Sequence, residues 1–396
     1  MAEQRLRVVL GAAGLAGHAF PILALAGELR SRNHEVAVET SARWQDTVED
    51  LGATFIAATE SIAEPGMEVD GRPTLVEAVR RLEPRIREFR PAIVVADLFS
   101  WTPALAADVT GTLRATLMHH PFPLSAPGYP PFPLGFTAPR TPLGSVAWRA
   151  LDPLLNARFR SSTVALDQVR MELGLVPAGR PISAISEHLG LVATFPQLEY
   201  PRNWPAHVHI TGPLHFEPKV AEVELPEGEG PLVIVASSTA QDPDLELVRL
   251  AFDALAGEPM RLLVSSSRHA TALSTEAPAN AKVVEWLSFS TNLKAARAMI
   301  THGGHGTLAR GLSQGVPLVV CPQGADQPEN GARVAWAGAG ICVKRRRRTP
   351  TRLRSAVRAV LADPSYRERA RELAAWDRDH PGVRTAADLV ERYARA

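Results

Sequence analysis

Short valine-rich runs, each followed by a loop and then an apolar stripe at helical spacing, recur along almost the whole chain. Residues 6–10, 35–39, 55–57, 92–96 and 114–118 read as buried strands, and so do 232–236, 261–264, 283–285, 298–301 and 317–320. Between them, residues 21–30, 47–51, 74–89, 102–109, 146–173, 245–255, 306–314 and 328–335 carry helical patterns, as with Ile22, Leu25, Ala26 and Leu29. Strands that alternate with helices require parallel crossovers, so the spacing predicts an α/β, doubly wound architecture. Pro21 fits the first turn of its helix, which leaves His18 on the loop before it.

The chain has 396 residues, too many for one hydrophobic core and enough for two domains of roughly 150–200 residues. The two halves repeat one architecture. A loop-rich stretch, 211–231, separates them, with Gly212-Pro213 and an acidic run. The expected division is an N-terminal domain over 1–215, a linker over 216–230, a C-terminal domain over 231–375 and a tail, 376–396, folding back on the first domain. Trp376 and Tyr393 are the expected anchors of that tail.

A net charge of +1 gives no global field for nucleic acid or an anionic membrane. The basic run 344–348 lacks the interleaved aromatics of a nucleic-acid site and reads as a solvated connection. Cys321 and Cys342 make neither a disulfide framework nor a metal-ligand spacing, which points to a reducing, cytoplasmic setting. The apolar start breaks at Gly14, Gly17 and His18, as a first strand and its loop would, and stable membrane insertion is not expected. The expected state is a monomer or homodimer.

Residues 120–142 hold eight prolines interleaved with Phe122, Tyr129, Phe132 and Phe136. Proline at that density precludes a regular helix or central strand. A long aromatic insertion of this kind suits an acceptor pocket, with His119 at its mouth.

The segment 286–327 is the most specific. A strand ends at Thr301, and His302-Gly303-Gly304-His305-Gly306-Thr307 turns into a helix. Glycines admit a ligand close to the backbone, and free amides at a helix N-terminus attract anions. With the Thr307 hydroxyl and the His302 ring, the turn forms a pyrophosphate cradle. The next strand ends in a loop carrying Asp326 and Gln327, near enough to hydrogen-bond sugar hydroxyls.

The order Trp286-Leu287, then THGGHGT, then GVPLVV, then DQPEN resembles the nucleotide-sugar signature of family-1 glycosyltransferases of GT-B fold. Gly14-Leu-Ala-Gly17-His18-Ala-Phe-Pro21 is similar to the N-terminal segment of the same superfamily, so the resemblance spans nearly the whole chain. It implies two Rossmann-like domains facing across a cleft. It also implies that Trp286 stacks on the nucleobase and His302 contacts the diphosphate, with Gly304, Gly306 and Thr307 completing the cradle. Asp326 and Gln327 would hold the donor sugar, and Ser237, Ser238 and Thr239 would face the phosphates. Two positions depart from the pattern. Ser288-Phe289 stands where the family often has Pro-Gln, and Arg310 stands where many members have a ribose-binding Glu. Arginine accepts no hydrogen bond, which favours a bacterial, antibiotic-type member using dTDP-linked sugars over a plant-like UDP-glucose site.

Transfer to a hydroxyl needs a base, and a histidine backed by a carboxylate suits it. His18 and Asp97 both end first-domain strands and match the family's His/Asp dyad. The expected activity is inverting transfer of a sugar from a dTDP- or UDP-sugar to a small hydrophobic acceptor. No cofactor or metal is expected. A GT-B sugar-nucleotide epimerase and a catalytically silent sugar-nucleotide-binding helper remain the alternatives.

Overall fold

The computed structural model describes residues 5–59, 73–157, 160–179, 185–218, 220, 223–237, 245–266 and 269–396. The first half contains β1 (Arg7–Gly11), α1 (Ala16–Ser31), β2 (Glu35–Thr40), α2 (Gln45–Asp50), β3 (Thr54–Ala57), α3 (Leu75–Phe89), β4 (Ile93–Asp97) and α4 (Trp101–Thr110). It continues through β5 (Leu113–Met118), α5 (Pro142–Ala157), α6 (Arg160–Glu172), β6 (Leu189–Val192) and β7 (Val208–Ile210). The second half begins with β8 (Leu232–Ala236), α7 (Glu246–Leu255), β9 (Arg261–Ser265), α8 (Ala270–Glu276), β10 (Ala281–Val284), α9 (Phe289–Asn292) and β11 (Ala296–Thr301). After these come α10 (His305–Ser313), β12 (Leu318–Val320), α11 (Gln327–Trp336), β13 (Gly340–Cys342), α12 (Pro350–Ala362), α13 (Pro364–Asp379) and α14 (Gly382–Arg395).

All recorded pairings are parallel. They form a seven-stranded sheet in the order β3-β2-β1-β4-β5-β6-β7 and a six-stranded sheet in the order β10-β9-β8-β11-β12-β13. This is the GT-B arrangement of two Rossmann-like units. Side chains alternate across each strand. Val8, Leu10, Val36 and Val38 pack against α1 and α14, while Val9, Ala37 and Val94 pack against α3 and α4. Both faces of the strands are therefore buried, which is why they read as continuous apolar runs.

The final helix crosses back. Ala386, Ala387, Leu389 and Val390 of α14 sit in the core of the first sheet beside α1. Burying Leu389 and Val390 contributes about 1.5–3 kcal/mol each. Arg32–Asp388 at 2.5 Å and His34–Glu391 at 2.8 Å fix the crossing. Tyr393 meets His209 at 3.1 Å, whereas Trp376 belongs to α13 and packs on Phe195.

Two expectations are corrected. Helix α1 starts at Ala16, so Pro21 lies inside it and His18 lies in its first turn. The helix tolerates Pro21 because the missing hydrogen bond would have gone to Gly17, at the open N-terminal end. Strands β6, β7 and β13 were also not anticipated. They are only three or four residues long, too short for periodicity to register.

Candidate active site

In each sheet the first strand is flanked on both sides by strands reached through opposite crossovers, and ligands bind at that switch point. In the first sheet it lies between β1 and β4, where Gly11 faces Ala96. Asp97, the next residue, is buried at the carboxyl end of β4. His18 Nδ1 lies 2.9 Å from its Oδ2, and His119, just past β5, places Nδ1 2.7 Å from its Oδ1. The amide of Phe99 also donates to Oδ2 at 3.2 Å. Helix α4 is capped at Ser100 rather than Asp97.

Burial alone would raise the Asp97 carboxyl. The imidazoles of His18 and His119 outweigh it and hold the group well below the usual carboxylate range. An ionised carboxylate only accepts, so both Nδ1 atoms carry the proton. His18 is left with Nε2 as an acceptor. Burial pulls the His18 ring down, but Asp97 more than compensates, and the net shift is upward.

In the second sheet the switch point lies between β8 and β11. Thr301 faces Ala236, which brings His302 beside Ser237. His302 Nδ1 is 3.4 Å from the Ala236 carbonyl, and Ser237 Oγ donates to the Ser265 carbonyl at 3.1 Å. Gly304 caps α10, and a Cβ there would lie 2.4 Å from His302 Nε2, so the glycine makes room for the ring. The first amides of α10 have no intrahelical acceptor. Ser238 and Thr239 lie outside the described residues.

The two switch points meet in a cavity of about 220 Å³ between the sheets. It is lined by His18 and His119 from the first unit and by Ser237, Trp286, His302, Gly304, Gly306, Thr307, Asp326 and Gln327 from the second. Trp286 is 44% exposed, leaving its ring open to a partner. Asp326 is bridged to the cradle by Asn330, whose Nδ2 reaches Asp326 Oδ2 at 2.8 Å and the Gly303 carbonyl at 2.9 Å. Gln327 Oε1 accepts from the amides of Gln323 and Gly324.

The aromatic residues expected to wall the acceptor pocket do not line this cavity, and only His119 of that set does. Phe122 is buried against Leu98, Met118 and Trp204. Tyr129 stacks on Tyr200, Phe132 stacks on His120, and Phe136 sits half-exposed beside Trp148. Phe122, Tyr129 and Phe132 thus pack the insertion onto the protein.

Comparison with known proteins gives the same architecture and a chemistry. Residues 252–391 match the family described as erythromycin biosynthesis protein CIII-like, C-terminal domain. The 4'-demethylrebeccamycin synthase of Lentzea aerocolonigenes is 29% identical over 408 residues, covering 95% of this chain and 96% of that protein. The O-mycaminosyltylonolide 6-deoxyallosyltransferase of Streptomyces fradiae is 27% identical over 426 residues, covering 98% of each. Among solved structures, the kitacinnamycin glycotransferase superposes with a TM-score of 0.79 at 23% identity, over 99% of this chain and 100% of that one. The glycosyltransferase VinC in complex with dTDP superposes at 0.72 and 19% identity, over 98% of this chain and 100% of that one. The chain is a glycosyltransferase of GT-B fold, similar over nearly its whole length to glycosyltransferases of antibiotic biosynthesis.

Three residues in or beside the cleft of this glycosyltransferase carry no role in the sequence reading. His305 Nε2 reaches the Ala193 carbonyl of the first unit at 3.2 Å, and burial, with His120 nearby, pushes the ring down to about 3. Arg310 bonds the Phe216 carbonyl and lies over Phe20 and Phe289, at 5.1 and 5.4 Å from their ring centroids. Asn330 stands four residues after Asp326, one helical turn away, and that spacing is the signal that could have found it. Among the described residues, one group of potential metal ligands converges, His18, Asp97 and His119, with their ligand atoms within 4.8 Å of one another. Asp97 already receives N–H donors on both oxygens, so the group reads as a hydrogen-bonded cluster.

Proposed function

We propose that this glycosyltransferase transfers a sugar from a dTDP- or UDP-sugar to a hydroxyl of a small hydrophobic acceptor, with inversion and without a metal. The observation that carries the reading is the His18–Asp97 pair at 2.9 Å, opening onto the same cavity as His302 and the α10 N-terminus. The acceptor oxygen attacks the anomeric carbon as the bond to the diphosphate oxygen breaks. His18 Nε2 takes the acceptor proton, and Asp97 stabilises the imidazolium that forms. The diphosphate leaves into the cradle of His302, Gly304, Gly306 and Thr307, where helix amides and the ring offset its charge. Trp286 supports the nucleobase, while Asp326 and Gln327 hold the sugar.

Arg310 favours dTDP over UDP as the carrier, because it occupies the cleft without an acceptor for ribose hydroxyls. VinC, one of the structures that superposes on this chain, binds dTDP. That both Asp97 oxygens accept from protein donors supports the metal-free reading. The test is incubation with dTDP- and UDP-sugars and a panel of hydrophobic alcohols and phenols, with and without EDTA, resolving the anomeric configuration of the product. A retained configuration, or activity lost to EDTA and restored by magnesium or manganese, would overturn the mechanism. Donor conversion to an epimer without acceptor would overturn the reaction class.

A further inference from the structure

The proline-rich segment 120–142 is bound to the second unit through a buried ionic group. The amide of Gly135 donates to Glu329 Oε2 at 3.0 Å, and Lys344 Nζ donates to the Gly135 carbonyl at 3.2 Å. Glu329 Oε1 accepts from Arg333 Nε at 2.9 Å, and Arg333 Nη1 reaches Glu199 Oε2 at 2.9 Å and the Leu198 carbonyl at 2.8 Å. Glu199 then returns to the same segment, accepting from the Phe122 amide at 2.5 Å. The Arg333 guanidinium lies 4.2 Å from the centroid of Tyr200, whose ring stacks on Tyr129 of the segment. The side chains of Arg333, Glu329 and Glu199 are 1%, 0% and 3% exposed.

Stability alone does not account for such a group. Burying ion pairs costs desolvation that their attraction only about repays, and apolar replacements are often neutral or stabilising. What the group supplies is geometry. Glu329 and Arg333 belong to α11, whose N-terminus is Asp326-Gln327 in the cleft. A helix moves as a rigid element over this distance. Gly135 adds close contact: its φ is +66°, and a Cβ there would lie 2.4 Å from the Pro328 carbonyl carbon. The same helix therefore carries the donor-side loop at one end and holds the proline-rich segment along its side.

We infer that Glu329, Arg333 and Glu199 are positioning residues that couple donor binding at Asp326-Gln327 to the placement of the proline-rich segment. Donor binding that draws in the start of α11 orders residues 122–136 through this network. The segment belongs to the first unit in sequence and responds to the second. This rests on the donor-site reading proposed above.

The test is hydrogen exchange of the full chain with and without saturating dTDP-glucose, following peptides within 122–138, alongside calorimetric donor affinity and thermal melting. In the wild type, the donor slows exchange there by roughly 2- to 30-fold, the range spanned by coupling energies of residue networks. Arg333→Met removes the link between Glu329 and Glu199. Gly135→Ala pushes the segment off Pro328 and away from Glu329 but leaves the Glu329–Arg333–Glu199 ion pairs in place, so it decides the matter if the first variant does not fold. Both variants are expected to bind dTDP-glucose within about twofold of the wild type, a difference of ~0.4 kcal/mol, and to lose the donor-induced protection. Protection that persists in a folded variant, or that is absent in a wild type that binds donor, overturns the coupling. A wild type that binds neither dTDP-glucose nor UDP-glucose overturns the donor-site reading itself, and the coupling with it.

Discussion

His119 donates through Nδ1 to Asp97 Oδ1 at 2.7 Å, so the carboxylate behind His18 carries a second imidazole on its other oxygen. The His18 and His119 rings stand 4.1 Å apart, edge to face. Asp97 divides its hydrogen-bonding capacity between them, and the basicity of His18 depends on how that capacity is shared.

Removing the base is the first test. His18→Ala should lower turnover on a non-acidic alcohol by about 10²–10⁴, the usual contribution of general base catalysis. Asp97→Asn should also lower it, and the double variant should not multiply the losses, because the two act as a unit. An acidic phenol at high pH is already ionised and should lose least. Full activity of His18→Ala on an alcohol would move attention to His119.

The rate should depend on pH in a set direction. Burial lowers the His18 pKa, Asp97 raises it by more, and the base must be neutral to act. The acid limb of kcat/KM therefore lies above ~6.5, the ordinary imidazole value. His119→Phe withdraws the donor from Asp97 Oδ1 and concentrates negative charge near His18, so the limb should move higher still. A limb that stays put or moves down in this variant would mean the two rings do not compete for the carboxylate.

The donor cradle gives a binding prediction. His302→Ala should weaken dTDP binding by about 1–3 kcal/mol, the scale of a charge-assisted hydrogen bond. Gly304→Ala should also weaken it, because the new Cβ would lie 2.4 Å from His302 Nε2 and displace the ring. Calorimetry with dTDP measures both. Unchanged affinity in both would remove His302 from the cradle.

Acid stability should be set in part by two buried rings. Burial lowers His120 to about 4, aided by His119, and burial lowers His305 to about 3, aided by His120. Both unfold to an ordinary value near ~6.5. As pH falls below that value, the unfolded chain binds protons that the folded one refuses, so stability declines. Melting temperatures from pH 7 to 5 should fall less steeply in His305→Asn than in the wild type. An unchanged slope would show that other groups govern the acid limb.

Much of this site can be read from local residue order. His302 to Thr307 lie on one turn, and each role follows from glycine, an amide or a short side chain at a helix start. The His18–Asp97 pair needed one further condition, that β1 and β4 be neighbours, which the crossover pattern suggests and the sheet provides. His119 was placed near the pocket, but its bond to Asp97 depends on β5 lying next to β4 in register.

Contacts made by residues far apart in sequence were beyond reach. The proline-rich segment signalled an unusual loop, yet nothing in its composition said that Phe122 and Tyr129 would pack inward or that Gly135 would rest on Pro328. Glu329 and Arg333 are four residues apart and look like an ordinary exposed helical pair. Their burial against Glu199 follows only from how α11 meets the first unit.

By itself, the sequence determined the longer strands, most of the helices and the glycine turn, because periodicity and backbone freedom are properties of neighbouring residues. The tertiary structure alone decided which imidazoles share Asp97, which aromatic rings of the insertion pack inward, and which carboxylates Arg333 binds. Those outcomes depend on distances and desolvation between segments up to hundreds of residues apart, and no local pattern encodes them.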